Sequence, residues 1–194
     1  KQEKNNVYVS YTRNGKQYTA KAKTVVVTTP AGISAKIIKS GLSDQTMEAL
    51  NTVAYSQYIT VSLFLDKRYL KDVWQICCMD NFFVTIYDAI RPQVSSDYEG
   101  KSILSFYIAP ETYTDQTLID IPDEILLDSI YNDLENYYPG IRTHVLGYDV
   151  HRFDTGFPVF YPGYSSIIKT IYNDIINDGD VTILQAANRK ANKL

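Results

Sequence analysis

The chain has 194 residues, with 19 Lys and Arg against 22 Asp and Glu, a net charge of -3 and a pI near 5.4. Hydrophobic residues make up 45% and charged residues 21%, which excludes a disordered chain and leaves room for a sizeable core in one domain, or one domain with part of another. The mild acidity speaks against a nucleic-acid-binding surface, which would be basic, and the apolar runs are too short for a membrane-spanning helix.

In chain order, residues 7–11 alternate apolar and polar side chains, Asn14-Gly15 follows, and residues 16–20 resume the alternation. Asn-Gly accepts the positive φ angles of a tight turn, so these residues predict a β-hairpin. Residues 24–30 form a continuous β-branched run ended by Pro30, the pattern of a strand buried on both faces, with a short helix expected over 31–38. Ser43 is a natural N-cap for a helix whose stripe is Leu42, Met47 and Leu50, running through Asn51.

Residues 56–66 predict a long strand. Tyr58, Thr60, Ser62 and Phe64 share one face, while Ile59, Val61, Leu63 and Leu65 share the other and belong to the core. Further strands are expected at 82–87 and 102–108. A long helix is expected over 122–138, with Pro122 at its start and Ile125, Leu126, Ser129, Ile130, Leu134 and Tyr137 along one face. Pro139-Gly140 stops it, residues 144–153 return as a strand, and a second long helix covers 164–176. Residues 181–184 suit a last short strand. The pattern predicts an α+β fold, a mixed β-sheet with helices on one face.

Tyr is abundant, 17 residues, and suits half-buried sheets and ligand pockets alike, because its ring packs while its hydroxyl seeks a polar partner. Cys77 and Cys78 are adjacent. Their side chains diverge along an extended strand, so unbridged thiols and a reducing, cytoplasmic setting are expected. Two Cys cannot build a structural zinc site, and His144 and His151 are expected on opposite faces of one strand, so no metal site is expected. Asp120, Asp123 and Glu124 gather where the long helix begins and favourably meet its dipole. There is no Gly-x-Ser-x-Gly elbow and no Gly-rich phosphate loop. The sequence opens at Lys1 without an initiator Met or a signal-peptide pattern, which suggests a processed product or part of a longer one.

Two stretches carry a resemblance. One is the hairpin around Gly15 followed by residues 24–30 with their closing proline. The other is His151-Arg152-Phe153-Asp154-Thr155-Gly156-Phe157-Pro158-Val159-Phe160-Tyr161-Pro162-Gly163-Tyr164. Together with the helix near 42–53, the strand near 58–66 and the helix near 123–140, they keep the block order of the flavin-dependent amine oxidase superfamily over roughly residues 7–176. The chain resembles its protoporphyrinogen oxidase and phytoene desaturase-like branch. The family's Gly-x-Gly-x-x-Gly, whose helix N-terminus holds the pyrophosphate, is absent, and Gly179-Asp180 does not continue as the family's closing flavin-contact segment does. Many amine oxidases of the family carry a Lys on the first substrate-domain strand, and the matching position here falls at Thr60.

The resemblance implies that residues 1–52 are a returning part of a FAD-binding domain, 53–160 a substrate-binding domain, and 161–194 a helix and tail leading back. It implies Thr29 and Pro30 near the cofactor and Thr60, Tyr87, Tyr107, Arg152 and Tyr161 around a small, largely apolar substrate, with no catalytic residue singled out. FAD belongs to the full-length parent, and the chain alone is expected neither to bind it nor to catalyse. Its partner would be the FAD-binding portion, or a second copy through an exposed docking face. The rival reading is a self-contained, non-enzymatic ligand- or protein-binding α+β domain.

Overall fold

The computed structural model describes residues 2–3, 6–38, 41–91 and 100–178. They fall into two compact units, one formed by Lys1–Ala54 with Phe160–Leu194 and the other by Tyr55–Val159.

The first unit opens with a short strand, β1 (Gln2–Glu3), beside the hairpin of β2 (Asn6–Arg13) and β3 (Lys16–Ala22). The hairpin is in perfect register from Val7↔Ala22 to Arg13↔Lys16, and Asn14 (φ 51°) and Gly15 (φ 73°) make its turn with the two left-handed residues that a right-twisted hairpin prefers. The run at 24–30 is a correction to the expected buried strand. It pairs with no strand among the described residues, and Val26 is 55% exposed. β-branched residues favour extended backbone, but a central strand also needs hydrogen-bonding neighbours on both sides. Two helices follow, α1 (Ala31–Ile37) and α2 (Asp44–Thr52). The Ser43 hydroxyl accepts from the Thr46 backbone N–H at 3.2 Å, satisfying one orphan donor of α2's first turn. Thr46, Ala49 and Leu50 are its buried residues.

The second unit begins with β4 (Tyr55–Leu65) and continues through β5 (Gln75–Cys77), β6 (Thr85–Asp88) and β7 (Ser102–Ile108) to α3 (Asp123–Glu135) and β8 (Val145–Pro158). Short 3-10 turns at Leu118–Asp120 and Ile141–His144 flank α3. The strand order is β5-β6-β7-β4-β8 and every pairing is antiparallel. The α+β class holds, although the sheet is antiparallel rather than mixed, because the parallel strands β7 and β8, joined through α3, are separated by β4 and each pairs with it in the opposite sense.

β4 lies between β7 and the edge strand β8 and alternates strictly from Gln57 onward. Ile59, Val61 and Leu63 are fully buried and Leu65 is 1% exposed, facing Leu104, Phe106 and Ile108 of β7. α3 covers this face with Leu126, Ile130 and Leu134, a row spaced by four that leaves Ile125 and Tyr137 outside, 56% and 62% exposed. α3 is shorter than the expected 122–138 because Tyr137 and Tyr138 both donate their N–H to the Leu134 carbonyl, and Gly140 turns the chain at φ 81°. β6 starts later than expected because Phe82 and Phe83 serve the core instead. The Phe82 N–H donates to Asp133 on α3 at 2.6 Å, and buried Phe83 meets Phe106 edge-on at 5.0 Å.

The first unit closes with α4 (Tyr164–Asp178), where Tyr164 and Ile171 are each 6% exposed. The residues expected as a last strand (181–184), and Gly179-Asp180, lie outside the described residues. Among the described residues no helix is long and apolar enough to cross a membrane.

Candidate functional site

The sheet face turned away from α3 collects the aromatic residues. In an antiparallel pair, directly opposite residues project to the same side. Register therefore sets Thr60 beside Tyr107 on one flank and His151 on the other, and Tyr107 beside Thr85. Tyr87 belongs to the same face, two residues along β6. Thr60, Thr85, Tyr87 and Tyr107, with Tyr58, Phe153, Gly156 and Phe157, line a cavity of about 390 Å³. The structure thus brings Thr60, Tyr87 and Tyr107 together.

The rings form a continuous path from Trp74, just before β5, across β6, β7, β4 and β8. Trp74 lies 5.2 Å from Tyr87, Tyr87 4.9 Å from Tyr107, Tyr107 5.5 Å from Tyr58, and Tyr58 6.5 Å from Phe157, centroid to centroid. Their planes are tilted or edge-on, so positive ring edges meet negative faces. Burial, reinforced by the neighbouring Tyr107 and Tyr87 phenols, pushes the Tyr58 hydroxyl up to about 12. Burial first, then Tyr107 and Cys77, raises Tyr87, with a partly offsetting hydrogen bond from Gln75. At neutral pH these phenols are protonated donors, and no charged side chain lines the cavity. An apolar wall with a few hydroxyl anchors suits an uncharged, largely apolar ligand.

The other named residues stand elsewhere. Arg152 is opposite Ile59, on the core-facing side. Its guanidinium donates to the carbonyls of Ile119 (3.0 Å) and Ile121 (2.7 Å) and to the Asp123 carboxylate (2.6 Å), bracing β8 to the start of α3. Tyr161 belongs to the first unit, where its hydroxyl donates to the Thr52 carbonyl at 3.0 Å. His144 ends a 3-10 turn and pairs with Asp66 at 2.8 Å, while His151 pairs with Asp149 at 2.9 Å. No group of three metal-ligating side chains forms among the described residues. Cys77 is an exposed thiol and Cys78 a half-buried one packed against the core. A second hollow, over the hairpin, is lined by Ser10, Thr12, Gln17, Thr19 and the stacked pair Tyr11–Tyr18, and a single two-stranded ribbon gives it no opposing wall.

The site is thus an aromatic hollow on the open face of a helix-backed antiparallel sheet. The chain belongs to the flavin containing amine oxidoreductase family, whose model matches residues 1–169. Its fold is similar to that of a protein from Exiguobacterium sp. 255-15 assigned as a protoporphyrinogen oxidase, at 14% identity and TM-score 0.53, covering 88% of this chain and 38% of that one. It is also similar to reduced UDP-galactopyranose mutase, at 11% identity and TM-score 0.59, covering 84% of this chain and 36% of the other. The chain therefore spans less than two fifths of the length of either. No curated protein matches it significantly in sequence.

A family flavin needs backbone N–H groups at a glycine-rich turn to hold its pyrophosphate. That turn is absent from this sequence, and Pro30 has no N–H to donate. The Ser34 hydroxyl donates to the Thr29 carbonyl at 3.1 Å and lies 2.8 Å from the Thr29 hydroxyl, while the Pro30 carbonyl accepts the N–H groups of Ile33 and Ser34 at 2.9 Å. These hydrogen bonds tie Thr29 and Pro30 to the start of α1.

Sequence reasoning did not select Tyr58, Thr85, Phe153, Gly156 or Phe157 for the site. The period-two pattern of β4 already put Tyr58 on Thr60's face and was signal enough. Gly156 and Phe157 depend on a strand irregularity that alternation does not encode.

Proposed function

We propose that this chain is the substrate-binding region of a FAD-dependent oxidoreductase that oxidises a C–N or C–C bond in a small, largely apolar molecule. The observation that carries this reading is the uncharged, tyrosine-lined cavity on the open sheet face of a flavin-family chain. Thr60, Tyr87 and Tyr107 contact the substrate, and Tyr58 and Phe157 close one end. Arg152 acts as a brace behind the sheet. Flavin supplies the hydride chemistry in such enzymes, while the protein orients the substrate and excludes water.

In this reading FAD is held by a portion of the protein outside these 194 residues, and the chain alone is not catalytic. The family match, the share of the similar structures that the chain covers, and the absence of a Gly-x-Gly-x-x-Gly turn from the sequence support it. The chain then docks with that portion or, lacking it, with a second copy. The unbridged Cys77 and Cys78 suit a cytoplasmic setting.

Titration of the purified chain with FAD, followed by flavin absorbance and fluorescence, tests the reading. No bound yellow flavin and no saturable binding are expected. Stoichiometric FAD binding would overturn the claim that the chain is incompetent by itself.

A further inference from the structure

β4 and β8 pair residue for residue from Phe64↔Gly147 to Tyr58↔Phe153, and the next match is Ser56↔Phe157. Between them β4 uses one residue, Gln57, and β8 uses three, residues 154–156, so β8 bulges. The core side of the bulge is pinned. Gln57 is 2% exposed, donates Nε2 to the Gln116 carbonyl at 3.1 Å and to Asp154 at 3.4 Å, and accepts from the Ile119 N–H at 3.2 Å.

Gly156 lies on the cavity side of this bulge. A Cβ at 156 would overlap Tyr58 Cβ outright and stand 3.2 Å from Phe153 Cβ and 3.3 Å from Tyr58 Cα. Gly156 is not among the left-handed glycines, so space rather than φ demands the missing side chain. Because Gln57 holds β4 from behind, the strands cannot simply separate, and a side chain at 156 must displace Tyr58. Gly147, on the same strand, is the natural comparison, since its Cβ would meet only Phe64 Cδ2 at an ordinary 3.5 Å.

We propose that Gly156 is the positioning residue that sets the shape of the tyrosine cavity. By letting the bulge approach β4, it seats the Tyr58 ring against Tyr107 and Phe157, and so fixes which ligand outline the cavity accepts. This rests on the reading of the cavity as the substrate site.

The test compares wild-type chain, G156A and G147A. Two quantities are read: the rate of Tyr58 nitration by tetranitromethane relative to Tyr11, by peptide mass mapping, and the Kd for the neutral apolar dye Nile red. G156A is expected to change relative Tyr58 nitration severalfold and to weaken dye binding roughly ten-fold, the scale of a moderate overpacking penalty, while G147A changes neither. Wild-type values for both in G156A overturn the proposal. A changed nitration rate with no dye binding by wild type supports the positioning role and overturns the substrate-site reading. If G156A does not fold, the double variant Tyr58→Gly with Gly156→Ala decides. Restored folding supports the contact, and continued failure overturns it.

Discussion

Gln57 and Arg152 show how polar side chains behind an apolar sheet fix what its open face can do. Gln57 makes three hydrogen bonds from a nearly inaccessible position, so Gln57→Ala removes all three and leaves a hole behind the bulge. A loss of about 2–3 kcal/mol is expected in urea unfolding. Arg152 holds two carbonyls and a carboxylate, and its planar fork is what reaches all three. Arg152→Ala should lower the urea midpoint, Arg152→Lys should restore it only in part, and Nile red affinity should stay at the wild-type value in both. A dye affinity that falls with the charge would return Arg152 to the ligand site. The raised Tyr58 phenol gives a pH dependence with a definite sign. Its ionised form is disfavoured in the folded state, so the stability it contributes is complete below its unfolded value of 10.0 and is lost as pH rises toward about 12. Alkaline absorbance titration should therefore show a late-titrating tyrosine that moves earlier on unfolding. Sequence placed Thr60, Tyr87 and Tyr107 together because strand face is a local property. It could not place Arg152, since a motif match says nothing about which side of a sheet a side chain takes.

Elements whose pattern is self-contained were the most legible. The Asn14-Gly15 hairpin, the Ser43 cap and the alternation of β4 each follow from residues within one turn or one strand. Ser43→Ala removes the acceptor of the Thr46 N–H and should cost about 1 kcal/mol by thermal or urea unfolding. The run at 24–30 failed as a strand because its neighbours, not its own residues, decide whether β-propensity is used. Cys77 ends β5 in the open and Cys78 turns toward the core, where burial, then Cys77 and Asp133, raise its thiol. Reaction with an aromatic disulfide reagent should show one fast thiol and one slow one, and Cys77→Ser should abolish the fast phase.

At the scale of the whole molecule, the second unit holds a complete apolar cluster of its own, built from β4, β6 and β7 on one side and α3 on the other. A polypeptide of residues 55–159 should therefore fold alone, with a cooperative urea transition and an ordered circular dichroism spectrum. A broad, non-cooperative transition would show that the remaining residues are needed. The sequence indicated an α+β chain with one covered sheet face. The antiparallel order β5-β6-β7-β4-β8 was beyond it, because pairing between distant segments is settled by the shared core and not by any one of them.

The second unit also begins and ends at one place, since Tyr55, the first residue of β4, pairs with Pro158, the last of β8. In genetic terms its two boundaries are a single junction. A stretch of coding sequence exchanged between these points for that of a distant relative would need to match only one pair of adjoining strand ends. On the proposed reading of the cavity as the substrate site, such an exchange changes substrate range while leaving the flanking coding sequence untouched.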